Sequence, residues 1–133
     1  MKNKLPIGYY LKKADNVLTE GINDIHKEFD INRTQWQILN SINESNNISR
    51  NHIISILIEF AEKEVIINTI GKMINGELIK EDTELKLTEK GKDIFNKCFQ
   101  KQKEFRHKSM KNISEQEYIQ TITTLEKIID NLR

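Results

Sequence analysis

The sequence predicts a mainly α-helical chain with one small β-hairpin, on three observations. Apolar residues recur at steps of three and four through both ends of the chain. One proline and five glycines are spread over 133 residues, so long helices are permitted almost everywhere. The helical period breaks once, near residues 78–87, into short alternating runs of the kind that form strands.

The elements follow in order. Ile7, Leu11, Ala14, Leu18, Ile22, Ile25 and Phe29 make one seam of an amphipathic helix about six turns long, and Lys12, Lys13, Asp15, Glu20 and Asp24 supply its wet face. Asn32 with Gln35 three residues on is an N-cap signature, opening a second helix through about Ile42. Residues 44–47 are polar and read as a loop. Ser49 caps a third helix carrying Ile53, Ile54, Leu57 and Ile58. A fourth carries Ile66, Ile70, Met73 and Ile74, and stops near Asn75-Gly76, where glycine easily turns left-handed. Residues 78–81 and 84–87 are the strand candidates, around an Asp82-Thr83 turn. From about Thr88 a fifth helix places Ile94, Cys98 and Phe105 along one side, with Phe95 and Phe99 beside them. Ser114 and Glu117 form a capping box, each side chain satisfying the other's free backbone donor. They open a last helix with the seam Tyr118, Ile122, Leu125, Ile129 and Leu132.

Composition excludes several classes. The length fits one domain, 1–133. Charged residues make up 31% yet leave a net charge of +1, which excludes a histone-like basic protein and an acidic disordered tail. The longest apolar run, residues 53–58, falls far short of the roughly 20 residues a bilayer span needs, and no leader-like apolar stretch follows the basic start. A cytoplasmic protein without a membrane partner is expected. Cys98 is the single cysteine and reads as core packing; His26, His52 and His107 are scattered, with no carboxylate at ligand spacing. No Gly-rich phosphate loop, nucleophile elbow, HExxH or CxxC pattern occurs, so no metal, no cofactor and no enzymatic role is expected.

Three short helices and a small hairpin make a winged helix-turn-helix, a DNA-reading module, here over residues 31–91. Leu85-Lys86-Leu87-Thr88-Glu89-Lys90-Gly91 resembles the second wing strand and following helix start of the MarR family of bacterial regulators. Ile31-Asn32-Arg33-Thr34-Gln35-Trp36-Gln37-Ile38-Leu39 resembles that family's signature at its second helix, and Ser114-Glu115-Gln116-Glu117 its final capping box. The resemblance implies a homodimer held by the terminal helices (residues 1–30 and 92–133), a recognition helix in successive major grooves, and a wing at the minor groove. In many relatives a small organic effector sits between the dimerisation and DNA-binding parts. The seams point to the same dimer on their own. Two long terminal helices carry more apolar surface than a winged core can cover, and such surface marks a partner interface unless both helices wrap their own subunit.

Expected double-stranded DNA contacts are Arg50 and Asn51 on phosphate at a helix start, Asn68 and Thr69 on base edges, and Lys72, Lys90 and Lys92 adding phosphate charge. Trp36 reads first as core and second as the wall of an effector pocket with Tyr9, Tyr10 and His26. The reading head departs from the family pattern. Where relatives usually offer Ser, Thr and Arg, its first turns are apolar or acidic, and residues 59–86 carry seven acids against four lysines. Acids there repel phosphate. Residues 80–84 hold no arginine for the minor groove, which leaves Arg50 as the local candidate for bidentate guanine reading. Residues 89–111 carry eight bases against three acids, either a solvated face or a phosphate contact. The leading expectation is a homodimeric DNA-binding transcriptional regulator modulated by a small organic ligand. The alternative is a dimer of the same fold that no longer reads DNA and serves as a protein-interaction or ligand-binding module.

Overall fold

The structure, a computed structural model, describes residues 3–133. Its elements are α1 (Ile7–Glu28), α2 (Arg33–Ser45), α3 (Arg50–Leu57), α4 (Lys63–Asn75), β1 (Ile79–Glu81), β2 (Leu85–Leu87), α5 (Glu89–Ser109) and α6 (Glu115–Leu132). They fall into two compact units, residues up to 102 and residues 103–133. Six helices and one antiparallel hairpin are the expected inventory.

The core of the first unit lies among α2, α3, α4 and the hairpin. Ile38, Leu39, Ile42, Ile53, Ile66, Ile70, Met73, Ile79 and Leu85 are all fully buried there, together with Cys98 of α5. α2 starts where its sequence says: the Asn32 Oδ1 accepts from the Gln35 amide at 2.8 Å, and the Gln35 Oε1 accepts from the Asn32 amide at 2.8 Å. It runs three residues past Ile42, because Asn43, Glu44 and Ser45 all stay exposed on a continuing turn and Asn40 donates to Glu44 at 3.4 Å. Asn46, left-handed at φ 66°, ends it. Ser49 caps α3 as expected, accepting from the His52 amide at 3.1 Å. Ile58 lies beyond that helix and is exposed rather than part of its seam.

α4 stops at the expected place but not by the expected residue. Gly76 has φ −81° and its amide still bonds back to Lys72. The left-handed residue is Glu77, at φ 62°. The Glu77 amide donates to the Ile74 carbonyl at 3.0 Å and the Leu78 amide to the Met73 carbonyl at 2.9 Å, which is a Schellman closure, and both its apolar partners, Met73 and Leu78, are buried.

The strands are one residue shorter than predicted, pairing Ile79 with Leu87, Lys80 with Lys86 and Glu81 with Leu85 around a three-residue turn. Ile48 adds an isolated bridge to Leu85. Thr88 then joins hairpin to helix: its amide donates to the Leu78 carbonyl at 3.1 Å and its Oγ1 accepts from the Gly91 amide at 3.0 Å. A Cβ at position 91 would collide with the Leu78 carbonyl. The Leu-Thr-Glu-Lys-Gly run is thus a cap followed by the one residue small enough for α5 to leave the sheet there.

α1 buries only His26, and α6 buries none of its residues. The α6 capping box forms as written, with the Glu117 amide donating to Ser114 Oγ and the Ser114 amide to Glu117 Oε1, both at 3.0 Å.

Candidate nucleic-acid interface

α3, the turn through residues 58–62 and α4 form the helix-turn-helix, followed by the hairpin as wing. The buried stripe of α4 is Ile66, Thr69, Ile70 and Met73. Its exposed residues include Glu64, Val65, Asn68, Lys72 and Asn75. Asn68 and Lys72 therefore stand on the outer side, where a reading helix needs them. Thr69 does not. It is 8% exposed, and its hydroxyl donates to the Val65 carbonyl at 2.6 Å, so the expected base contact is replaced by a core position. The signal was present in the sequence, since Thr69 is three residues after Ile66 and four before Met73, on the apolar stripe itself.

Arg50 is held across the fold. Its Nε donates to Glu81 Oε2 at 3.0 Å and its Nη2 to Glu81 Oε1 at 2.8 Å, a bidentate fork joining the start of α3 to the wing. That hydrogen bonding raises the guanidinium's pKa further and holds the Glu81 carboxyl below its ordinary range. The guanidinium proposed for guanine or phosphate already has a carboxylate in its fork. Asn51, the next residue, is exposed.

The two lysines after the wing separate. Lys90 Nζ donates to the Gly76 carbonyl at 3.2 Å, placing a cation at the negative end of α4. Lys92 pairs with Glu89 at 3.5 Å and lines a polar cleft of about 290 Å³ with Lys80, Lys86, Asn43, Asn46 and Asn47. Lys80 and Lys86 are cross-strand partners on one face of the wing, and like charges so placed oppose each other unless an anion lies between them. Asp82, 3.6 Å from Lys86, offsets part of that charge. Sequence reasoning named Lys92 but missed Lys80 and Lys86, although strand alternation puts both on one face. Glu81 was counted only as a repulsive acid, since nothing local ties it to a residue 31 positions earlier.

The four residues expected around an effector divide. His26 and Trp36 line one cleft of about 410 Å³, with Asp15, Thr19, Asn23, Arg33, Gln37 and Gln102 among its other walls. Tyr9 and Tyr10 are exposed at the start of α1, edge to face with each other at 5.2 Å, and take no part in it. Trp36 is half-buried, stacked on Phe95 at 5.0 Å and on His26 at 6.1 Å, so it is both core and wall. His26 is 2% exposed; burial, and secondly the charge of Arg33, hold its pKa below the ordinary 6.5. The Gln102 side-chain amide nitrogen lies 3.1 Å from His26 Nε2 and 3.6 Å from Cys98 Sγ. An NH2 group only donates, so Nε2 accepts and the proton sits on Nδ1. Nδ1 is buried and has no partner in the structure. Burial pushes the Cys98 thiol up to about 11, in keeping with a packing role. Among the described residues no cluster of His, Cys, Asp and Glu is arranged to hold a metal, and no helix is long and apolar enough to cross a membrane.

This arrangement of six helices with a wing after the fourth defines the fold as a winged helix-turn-helix flanked by long terminal helices. It is the MarR-family fold. The chain is similar to reduced MarR from E. coli, with TM-score 0.71, 18% identity and 95% of each chain covered. It is similar to MepR, a transcription regulator of the Staphylococcus aureus multidrug efflux pump MepA, with TM-score 0.75, 18% identity and 97% of this chain against 100% of that one covered. A Mycobacterium tuberculosis MarR-family protein in complex with DNA matches with TM-score 0.73, 13% identity and coverage of 94% and 98%. No protein-family model matches the sequence, and neither does any curated protein.

Proposed function

We propose that the chain is a cytoplasmic, homodimeric DNA-binding transcription regulator. The observation that carries this reading is the helix-turn-helix with an exposed α4 face, joined to a wing whose Lys80 and Lys86 share one cleft with Lys92 of α5. Three lysines held around one cleft suit a phosphate backbone better than they suit each other. Dimerisation is supported by the terminal helices, where Ile7, Leu11, Leu18, Tyr118, Ile122 and Ile129 are all exposed in the single chain. The test is binding to the DNA flanking its own gene across a salt series. Affinity falls steeply as salt rises, and Lys86→Glu or Lys72→Glu weakens it and flattens the slope. A salt-independent response, or no binding at low salt, overturns the reading.

The His26 cleft supports modulation by a small planar acid. A buried imidazole N–H without an acceptor, the Arg33 guanidinium and the Trp36 ring together suit a carboxylate or phenolate on an aromatic ring. Aromatic acids raise the melting temperature of the wild type and not of His26→Phe; no shift from any such acid or phenol removes this part.

A second reading rests on a separate observation. Ile56, Ile58, Phe60 and Val65 are exposed around the helix-turn-helix turn, Phe60 at 61%, and Glu59, Glu62 and Glu64 lie among them. That mixture favours a protein-interaction module, which the same salt series distinguishes by the absence of DNA binding.

A further inference from the structure

Resting on the DNA-binding reading, we infer that the reading head recognises A·T pairs through the thymine methyl group, with Val65 as the methyl contact and Asn68 as the adenine contact. Val65, Asn68 and Lys72 follow one another at three and four residues along α4, all exposed, with Val65 at 47%. Residues near the start of a recognition helix meet base edges. There this helix presents an isopropyl group in its first turn and a carboxamide in its second.

In the major groove only thymine offers a methyl, and an Asn side chain pairs both of its groups with adenine N6 and N7. Guanine shows two acceptors, O6 and N7, and asks for a donor fork from Arg or Lys. The one arginine of α3 and α4 is Arg50, and its fork holds Glu81 at 2.8 and 3.0 Å. Lys72 stands in the last turn of α4, away from the N-terminal turns with which a recognition helix reads base edges. Glu64, beside Val65 in the first turn, accepts and does not donate, so it offers guanine nothing. The apolar residue that looks like a defect in a phosphate-binding helix is then the specificity element. The acids around it disfavour unselective binding, which leaves more of the affinity to base contacts.

The experiment uses the full-length protein and three duplexes of about 24 base pairs, long enough for two half-sites a helical turn apart. One contains only A·T pairs, one is the same with every thymine replaced by uracil, and one contains only G·C pairs. The uracil swap removes the methyl groups and leaves every hydrogen-bonding group and the minor-groove edge in place. Fluorescence anisotropy at low salt gives tightest binding to A·T, and binding to A·U roughly fourfold weaker or more, the effect of burying one methyl-sized group. Val65→Ala, at an exposed helical site that alanine suits, narrows the gap between A·T and A·U, since alanine keeps only one methyl group to meet thymine. Asn68→Ala lowers the preference for A·T over G·C by at least about fivefold. Circular dichroism verifies that both variants keep wild-type helix content.

Equal, salt-dependent binding to all three duplexes overturns this inference and leaves the DNA-binding reading standing. So does a uracil effect that is undiminished in Val65→Ala. Tighter binding to G·C also overturns it, and points to Glu64 accepting from cytosine. No binding to any duplex removes the DNA-binding reading, and this inference with it.

Discussion

α2 and α6 start alike and end differently. Each opens with a formed capping box, Asn32 with Gln35 and Ser114 with Glu117, and each carries an apolar seam at helical spacing. α2 buries Ile38, Leu39 and Ile42 completely or nearly so, while α6 buries nothing and leaves Ile122 and Ile129 exposed. Caps and seams decide that a helix forms and which side is apolar. Whether that side is covered depends on what else the chain folds against it. α2 has α4 and the hairpin around it, whereas the α6 seam stays open within one chain and needs an occupant, for which a second copy is the proposed one.

The largest effect separates the two helices directly. Leu39→Ala removes a fully buried side chain and destabilises the first unit by about 2–5 kcal/mol in urea unfolding. Ile122→Asp, by contrast, leaves the helix content of the dilute chain unchanged and shifts the dimer to monomer in sedimentation. If instead Ile122→Asp unfolds the chain and leaves association intact, α6 is covered within its own subunit and the comparison fails. Next come the caps. Asn32→Ala lowers the melting temperature of the first unit, at a cost of about 1 kcal/mol, while Ser114→Ala, at an open helix, is read mainly as weaker dimerisation.

A smaller effect tests the fork between α3 and the wing. Arg50 and Glu81 are about a third exposed, so breaking the pair with Glu81→Gln costs at most about 1 kcal/mol of stability. Acid separates the two units by slope rather than by step. The pKa of His26 is lowered in the folded state, so unfolded chains take up the proton first. The first unit therefore loses stability as pH falls below the ordinary 6.5 toward the lower folded value. The Glu117 pKa is also lowered, by its bonds to Ser114. Its contribution is fully present above 4.5 and is lost only as pH falls through the depressed value. Circular dichroism of His26→Phe against wild type between about pH 7 and about pH 5 tests this, since the variant lacks the slope that His26 contributes over that window.

Most of the fold was legible because it rests on short-range physics. A cap spans three residues, a helical seam repeats within four, and the wing's alternation covers a few residues more. The glycine expected to turn left-handed after α4 was one place early, because Gly76 still completes the helix and Glu77 makes the reversal. The candidate site was half legible. Asn68 and Lys72 follow from helical phase, and the same phase, applied to Thr69, places it in the core. His26 and Trp36 line one cleft, while Tyr9 and Tyr10 sit about four helical turns from His26 at the far end of α1 and line nothing with them.

By itself the sequence determined the six helices, the N-caps of α2, α3 and α6, the apolar side of each helix, the hairpin, and the poverty of arginine near the reading head. Tertiary structure alone decided that Arg50 meets Glu81, that Lys80, Lys86 and Lys92 share a cleft, that His26 Nδ1 is buried without an acceptor, and that one amphipathic helix is covered while another is not. The division has one physical cause. Local pattern fixes backbone conformation through neighbours a few residues away. Pairing and burial depend on groups tens of residues apart, whose meeting no short stretch of sequence records.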